Sequence, residues 1–176
     1  MRIVLTDGVI TLRPPGPGDE DAIYAACQDP EIQRWTGVPS PYLREHSSGY
    51  LERVAAEREA GTSLAFLAVD EEGALLGNFS VMELDRRPGY GEIGYWVAAP
   101  ARGRGVATRA TRLLTEWGHA ELGLERIEII VHRDNAPSHR VPERLGYERL
   151  PGLHPLTRLG DPDPVFVRYV SLGTKA

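Results

Sequence analysis

The chain has 176 residues, a length typical of one domain, and its 41% hydrophobic and 26% charged residues are typical of a globular protein. Its net charge of −5 argues against a nucleic-acid binder, which would carry a basic surface, and suits a cationic partner such as an amine. One cysteine excludes an intramolecular disulfide and a multi-thiolate metal site. We therefore expect a single domain over residues 1–176 in a reducing cytoplasm, with no signal peptide and no membrane span.

The first third of the chain predicts one strand and three helices. Alternation over Val9–Arg13 predicts the strand, which the proline-rich stretch 14–18 ends. Caps and prolines divide the next stretch into helices expected over residues 19–27, 30–36 and 41–60. The third of these rests on Ser40-Pro41, a cap followed by proline at the first helical position, and on Gly61 as its stop.

A hairpin and an aromatic strand occupy the middle of the chain. Strands are expected over residues 64–69 and 75–84, joined by the turn Asp70-Glu71-Glu72-Gly73. After a loop, the aromatic and β-branched stretch from Glu92 to Val97 predicts a further strand. Pro100 ends this strand, because proline cannot donate to a sheet ladder.

The turn Arg102-Gly103-Arg104-Gly105-Val106-Ala107 connects this strand to a helix. Its glycines let backbone N–H groups face one point, where the positive end of the helix dipole adds to them. This pattern predicts a site for a phosphate or pyrophosphate. A P-loop would need Lys followed by Ser or Thr where Val106-Ala107 stand, and a dinucleotide fingerprint would need Gly or Ala in place of Thr108. A glycine turn without a ligand stays open on these residues alone.

The last third alternates strands and helices. We expect a helix from Thr108 to about Leu122, a strand over residues 126–132, a short helix over 135–145, a strand from Tyr147, a loop over 151–164 and a final strand over 166–172. The whole order predicts a mixed α/β sheet with helices on both faces.

Three motifs carry a resemblance to a known family. Arg102–Ala107 resembles the Arg/Gln-x-x-Gly-x-Gly/Ala signature of the GCN5-related N-acetyltransferases (GNAT superfamily), whose loop binds the pyrophosphate of acetyl-coenzyme A. Asn135–Tyr147 is similar to that family's Asn-x-x-Ser-x-x-Val-x-Glu-x-Leu-Gly-Phe/Tyr block. The opening resembles the RimJ/RimL branch, the ribosomal-protein alanine acetyltransferases, at Leu12-Arg13-Pro14, Asp21, Asp29-Pro30-Glu31 and Arg34-Trp35. Together the motifs cover most of the chain.

The resemblance implies a fold and a set of binding residues. The family's fold is a mixed, mostly antiparallel sheet that splays between its fourth and fifth strands. Acetyl-CoA would be the co-substrate, with its pyrophosphate on the glycine turn and its pantetheine arm along the splayed strand. The cofactor-binding residues so implied are Trp96, Val97, Ala98, Arg102, Gly103, Arg104, Gly105, Val106, Ala107, Asn135 and Ser138.

Transfer to an amine by direct attack needs a base and a proton donor but no covalent enzyme intermediate and no metal. Glu92 is the candidate base, with Glu83 on the neighbouring strand as the runner-up; a polar strand-end role for Glu92 stays open. Ser138 stands where the family places a hydroxyl near the coenzyme sulfur, although a helix-start hydrogen bond is an equal interpretation. Tyr147 is a further candidate donor.

Pro142 departs from the family pattern, since it lies inside the last helix. Proline lacks the N–H that would bond the Ser138 carbonyl, at a cost of about 3 kcal/mol in an ordinary helix interior. The Ser138 carbonyl therefore needs water or another donor. We expect the Ser138 hydroxyl to stay near the sulfur, because the helix start is set before the proline.

These observations predict an N-acetyltransferase that moves an acetyl group from acetyl-CoA to a primary amine. The acceptor would be a protein or peptide N-terminal α-amine or a small-molecule amine, with no nucleic-acid or membrane partner and with homodimerisation left open. Two alternatives are a non-catalytic sensor of coenzyme A and a nucleotide-binding module.

Overall fold

Nine strands in one sheet and five α-helices make up the part of the chain that the computed structural model describes, residues 3–156 and 161–173. The strands are β1 (Leu5–Thr6), β2 (Thr11–Arg13), β3 (Leu64–Val69), β4 (Leu75–Met82), β5 (Tyr90–Val97), β6 (Arg126–His132), β7 (Glu148–Arg149), β8 (His154–Leu156) and β9 (Asp161–Leu172). The helices are α1 (Glu20–Ala26), α2 (Pro30–Trp35), α3 (Arg44–Ala60), α4 (Val106–Ala120) and α5 (Ala136–Arg144). None of these helices combines the length and apolar character that crossing a membrane would require.

The sheet splits near its middle. Its order is β1-β2-β3-β4-β5-β6-β9-β7, with β8 also beside β9, and among the described strands only the β5–β6 pair is parallel. That pair covers Tyr90–Glu92 against Arg126–Glu128 and then stops, whereas β5 stays bonded to β4 as far as Val97. A wedge-shaped gap therefore opens between the second halves of β5 and β6. This confirms the expected mixed, mostly antiparallel sheet and its splay, which falls one strand later in the count because β1 was not predicted.

Two apolar clusters place the helices on opposite faces of the sheet. On one face α4 packs through Val106, Ala110 and Leu114, spaced at three and four residues so that they share one side of the helix. On the other face α1 and α2 pack with Tyr42 and Leu67 into a second cluster. Cys27 belongs to this second cluster, and burial raises its pKa to about 11, so that Cys27 is a packing residue and not a reactive thiol.

The third helix begins later than expected, at Arg44 rather than at Pro41. The predicted cap, Ser40, instead donates its hydroxyl to Gln33 Oε1 at 2.7 Å. Leu43 is the N-cap, and its N–H donates to Nδ1 of His46 at 3.0 Å, so a histidine three residues into the helix satisfies the backbone there. The predicted stop at Gly61 is confirmed, with φ 72°.

The expected loop over residues 151–164 is wrong in part. β8 occupies His154–Leu156 and pairs antiparallel with β9, which begins at Asp161 rather than at Phe166. A proline inside β8 is tolerated, since this strand pairs on one side only and its other edge needs no donor. Residues 157–160, which also belonged to the expected loop, lie outside the described residues.

Candidate functional site

The glycine turn has the backbone that an anion site needs. Gly103 has φ 75° and Gly105 has φ 78°, both in the left-handed region that favours glycine. Gly105 is the N-cap of α4, so no N-cap side chain covers the first-turn N–H groups of that helix. A Cβ built at either glycine would meet no atom of the more distant described residues within 4 Å. The turn and the helix start thus fit a phosphate or pyrophosphate group.

Arg102 reaches away from the turn. Its Nη2 lies 2.7 Å from Asp29 Oδ2, and its Nε donates to the Val97 carbonyl at 3.2 Å. Asp29 also caps α2, where its Oδ1 accepts from the Glu31 N–H at 2.8 Å. The Arg102 side chain therefore connects the start of α2 to the end of β5. Residue 102 contributes to the anion site through its backbone and not through its guanidinium group. The sequence could not show this contact between distant segments.

Along the open edge of β5, every second residue directs its backbone N–H and C=O groups into the gap. The Ala98 N–H donates to the Leu76 carbonyl at 2.9 Å, so residue 98 faces β4. Because antiparallel strands alternate, Val97 faces the other way, toward β6, and the contact of its carbonyl with Arg102 agrees with this. Val97 thus has the orientation that pairing with a pantetheine amide requires, whereas Ala98 does not. Trp96 packs on the cluster of α1 and α2.

Glu92 lies at the apex of the gap. It is the last β5 residue paired to β6, opposite Glu128, and it is 3% exposed. Glu83 lies just past β4 in a left-handed conformation, φ 60°, with 30% of its side chain exposed and 4.0 Å from Arg86. Both carboxylates line one cavity, but Glu92 is the more buried and the closer to the point where the strands part.

Ser138 lies at the start of α5, against β5. The Asn135 side chain caps this helix by accepting from the Ser138 N–H at 3.4 Å, and the Asn135 carbonyl accepts from it at 3.0 Å. The Ser138 Oγ lies 3.0 Å from the Tyr95 hydroxyl, which also donates to the Ser138 carbonyl at 3.3 Å. Tyr95 is therefore a site residue that the sequence analysis did not find. Strand alternation places Tyr95 on the face opposite Glu92, but only the fold shows that α5 packs on that face.

The same contact answers the question that Pro142 raised. The helix runs through Pro142 from Ala136 to Arg144, and the Ser138 carbonyl that the proline leaves finds the Tyr95 hydroxyl. The expectation of another donor is confirmed. Burial raises the pKa of Tyr95 to about 12, so this hydroxyl keeps its proton at neutral pH. The Tyr147 hydroxyl lies 2.6 Å from Thr115 Oγ1 and does not line the cavity, which argues against it as the proton donor.

One cavity of about 1430 Å³ connects these parts. It reaches from the turn at Gly103 along the edge of β5 to Glu92 and Ser138. The two candidate catalytic side chains lie on opposite faces of the sheet, with the gap between them. An acceptor could thus approach from one face while a leaving group departs on the other. No group of three or more His, Cys, Asp or Glu suited to a metal occurs among the described residues.

Comparison with known proteins identifies the family. The model of the family described as acetyltransferase (GNAT) domain matches residues 10–148. A segment of 76 residues is 40% identical to a protein of Bacillus subtilis (strain 168) named putative ribosomal N-acetyltransferase YdaF, and it covers 43% of this chain but only 42% of that relative. The L-amino acid N-acetyltransferase AaaT of Escherichia coli (strain K12) is 29% identical over 139 residues, which cover 79% of this chain and 83% of that protein.

Solved structures share the fold. RimL, a ribosomal alpha-N-protein acetyltransferase in complex with coenzyme A, superposes with a TM-score of 0.86 at 15% identity over 97% of this chain and 98% of that one. RimJ of Mycobacterium smegmatis, in complex with a coenzyme A disulfide, gives a TM-score of 0.80 at 22% identity over 97% and 86%. At these identities the likeness concerns the fold.

Proposed function

This chain belongs to the GNAT acetyltransferase family, and on that premise we propose that it transfers an acetyl group from acetyl-CoA to a primary amine. We propose further that residues 1–176 form one acetyltransferase domain. The observation that carries the proposal is one cavity of about 1430 Å³, which is lined by the glycine turn, the open edge of β5, the buried carboxylate of Glu92 and Ser138.

The donor side of the cavity suits acetyl-CoA. Its pyrophosphate would bind at the turn over residues 102–107, where two left-handed glycines and the start of α4 present backbone N–H groups. Its pantetheine arm would lie along the open edge of β5, bonded to Val97 and close to Asn135. The thioester would then lie near Ser138.

The acceptor would be a protein or peptide N-terminal α-amine, with a free amino acid or another small amine as the second candidate. The name of YdaF and the RimJ/RimL-like opening of the chain support the first, and the name of AaaT supports the second. In either case the amine enters on the face of α1 to α3, where Glu92 lines the cavity.

The chemistry would be direct attack. The neutral amine attacks the thioester carbonyl carbon, the carbon–sulfur bond breaks, and the acetyl group ends on nitrogen as an amide. Glu92 takes the proton that the amine loses, directly or through water. The leaving thiolate takes a proton from the Ser138 hydroxyl, directly or through water, and the serine oxygen takes a proton back from water, so that Ser138 ends neutral. The contact with Tyr95 holds that hydroxyl in position.

A thiol-release assay with acetyl-CoA and a panel of amines tests the proposal, with protein N-terminal peptides and free amino acids in the panel. We expect thiol release that depends on an amine, with the acetylated amine found by mass spectrometry. Binding of coenzyme A without turnover of any amine would instead indicate a non-catalytic sensor. Tight binding of ATP or NAD without binding of coenzyme A would indicate a nucleotide-binding module.

A further inference from the structure

A second, smaller cavity has a volume of about 490 Å³ and, among the described residues, shares no lining residue with the first. We call it the arginine pocket; its lining residues are Arg86, Arg87, Tyr90, Arg126, Glu128 and Arg168. They come from the β4–β5 loop and from β5, β6 and β9. Four guanidinium groups therefore face a single carboxylate within this lining.

Glu128 is the buried centre of the pocket, with 4% of its side chain exposed. Its Oε1 accepts from Arg126 Nε at 2.7 Å, and its Oε2 accepts from Arg168 Nη1 at 3.0 Å and from the Tyr90 hydroxyl at 3.2 Å. Its four lone pairs are thus largely used, so Glu128 cannot also satisfy the remaining arginines.

The other two guanidinium groups are held in place by an aromatic ring. Arg87 lies 4.4 Å and Arg86 lies 5.6 Å from the centre of the Tyr90 ring, within cation–π range. Among the described side chains, Arg87 has no carboxylate within ion-pair distance, and Arg86 has only Glu83, at 4.0 Å. The Nε of Arg168 is buried and has no hydrogen-bond partner among the residues that the structure describes. The pocket therefore has guanidinium donors to spare and an excess of positive charge.

The position of the pocket links it to the proposed acceptor. Tyr90 and Glu92 share one face of β5, two residues and roughly 7 Å apart at 3.4 Å per residue. Glu128 is the direct neighbour of Glu92 across the β5–β6 pair. The pocket thus continues the sheet face on which an amine would meet Glu92, on the side away from the glycine turn.

We infer that the arginine pocket binds an anionic oxygen group, a carboxylate or a phosphate, carried by the acceptor itself. This inference rests on the proposed function of the main cavity. An extended peptide spans about 3.3–3.6 Å per residue, so the spacing from Glu92 corresponds to an acidic group on the second or third residue of an N-terminal peptide. The planar guanidinium groups match carboxylate and phosphate oxygens in two-point contacts.

Matched acceptor pairs test the inference in the wild-type enzyme. Peptides that differ only by Glu, Gln or phosphoserine at the third position are compared in the same assay. We expect a KM about tenfold lower for the anionic peptides, the effect of one charge-assisted contact of roughly 1.4 kcal/mol. The ratio between the Glu and phosphoserine peptides identifies which anion the pocket prefers. Equal KM values for all three peptides would overturn the assignment.

A variant locates the effect. Arg86→Gln with Arg87→Gln should remove the preference, raising KM for the Glu peptide about tenfold while leaving kcat and the Gln peptide unchanged. Arg112→Gln with Arg149→Gln is the matched control, because both side chains are exposed on α4 and β7, outside either cavity, and the change in net charge is the same. A preference that survives in the first variant, or disappears in the control, would refute the pocket.

A binding measurement separates failure of the pocket from failure of the proposed function. Inorganic phosphate is titrated into protein saturated with coenzyme A, so that the glycine turn is filled, and the melting temperature is followed. We expect a rise that the Arg86→Gln and Arg87→Gln variant loses and the control keeps. If no amine is acetylated but this pattern appears, the pocket binds anions and the catalytic proposal fails. If the rise is unchanged in the variant, the anion site itself is refuted.

Discussion

The Tyr95 hydroxyl lies 3.0 Å from the Ser138 Oγ and 3.3 Å from the Ser138 carbonyl oxygen. One side chain of β5 thus contacts both the carbonyl that Pro142 leaves without its helical partner and the hydroxyl that is the candidate proton donor. The Tyr95 ring is itself fixed, since it stacks on Phe79 of the neighbouring strand with the ring centres 5.6 Å apart. The helix therefore accommodates Pro142 without moving Ser138 away from the cavity, because the Tyr95 hydroxyl bonds the freed carbonyl and contacts the serine hydroxyl.

Tyr95→Phe tests this connection. The variant keeps the ring and loses the hydroxyl, so we expect a loss of about 1 kcal/mol in stability and a fall in kcat with little change in the KM for acetyl-CoA. Ser138→Ala should lower kcat more. Tyr95 acts on the reaction through the Ser138 hydroxyl, which Ser138→Ala removes. The double variant should therefore be no slower than Ser138→Ala alone, and steady-state kinetics measure this.

Tyr147→Phe is the control for that experiment. It also removes a buried tyrosine hydroxyl, one bonded to Thr115, so it should lose comparable stability and keep its kcat. Full activity of Ser138→Ala would contradict the proton-donor role. Independent effects of the Tyr95 and Ser138 changes would contradict the positioning role.

Glu92→Gln tests the base. The variant keeps the shape of the side chain and loses the proton acceptor, so kcat should fall about 10²-fold or more while coenzyme A binds as before. Calorimetry of coenzyme binding, beside the rate, separates the two effects. Glu83→Gln is the comparison, because Glu83 lines the same cavity but is more exposed. Near-normal turnover of Glu92→Gln together with loss in Glu83→Gln would reverse the assignment.

Gly103→Val with Gly105→Val tests the anion turn. Both residues have positive φ, so each substitution is strained, and each adds a side chain to open space beside the turn, within 4 Å of which the structure describes no atom of a more distant residue. We expect the rise in melting temperature with acetyl-CoA to disappear. Gly73→Val is the matched control, since Gly73 also has positive φ and open space but lies in the β3–β4 turn. Its melting point should fall while its shift with acetyl-CoA remains.

Glu128→Gln tests the centre of the arginine pocket through its pH dependence. Burial alone would raise the pKa of Glu128, but the hydrogen bond and charge of Arg126 and the charge of Arg168 outweigh it and hold the pKa below its ordinary value. Because its pKa is lower in the folded than in the unfolded state, the ionised Glu128 stabilises the fold at any pH above its unfolded-state pKa of about 4.3. This stabilisation is lost as the pH falls through the folded-state pKa.

We therefore expect Glu128→Gln to be clearly less stable than the wild type at pH 7, and the difference to shrink below pH 4. Urea unfolding at pH 7 and at pH 3.5 measures both. A difference that stays constant over this range would show that the charge of Glu128 contributes nothing, and a difference that grows in acid would reverse the sign of the proposed effect.

Much of this protein was determined by local sequence. Proline, glycine and alternation predicted most strands and helices, including α4 after the glycine turn and the stop at Gly61, because such signals depend only on neighbouring residues. The glycine turn and the Asn135 block indicated the family. A backbone that closely surrounds a ligand allows only a few residue types at each position, so a short motif is enough to identify it. The start of α3 was predicted too early, because the helix is capped at Leu43 with the help of His46 and not at Ser40.

Contacts between distant segments were decided by the tertiary structure. Only the fold shows that Arg102 bonds Asp29, that Tyr95 meets Ser138, and that Glu92 lies at the apex of the gap. The arginine pocket likewise gathers residues from four segments of the chain, and nothing in the sequence indicates that these segments meet. The physical reason is that hydrogen bonds and ion pairs act over a few ångströms in space, whereas the partners are separated by tens of residues whose path is set by the packing of the whole sheet.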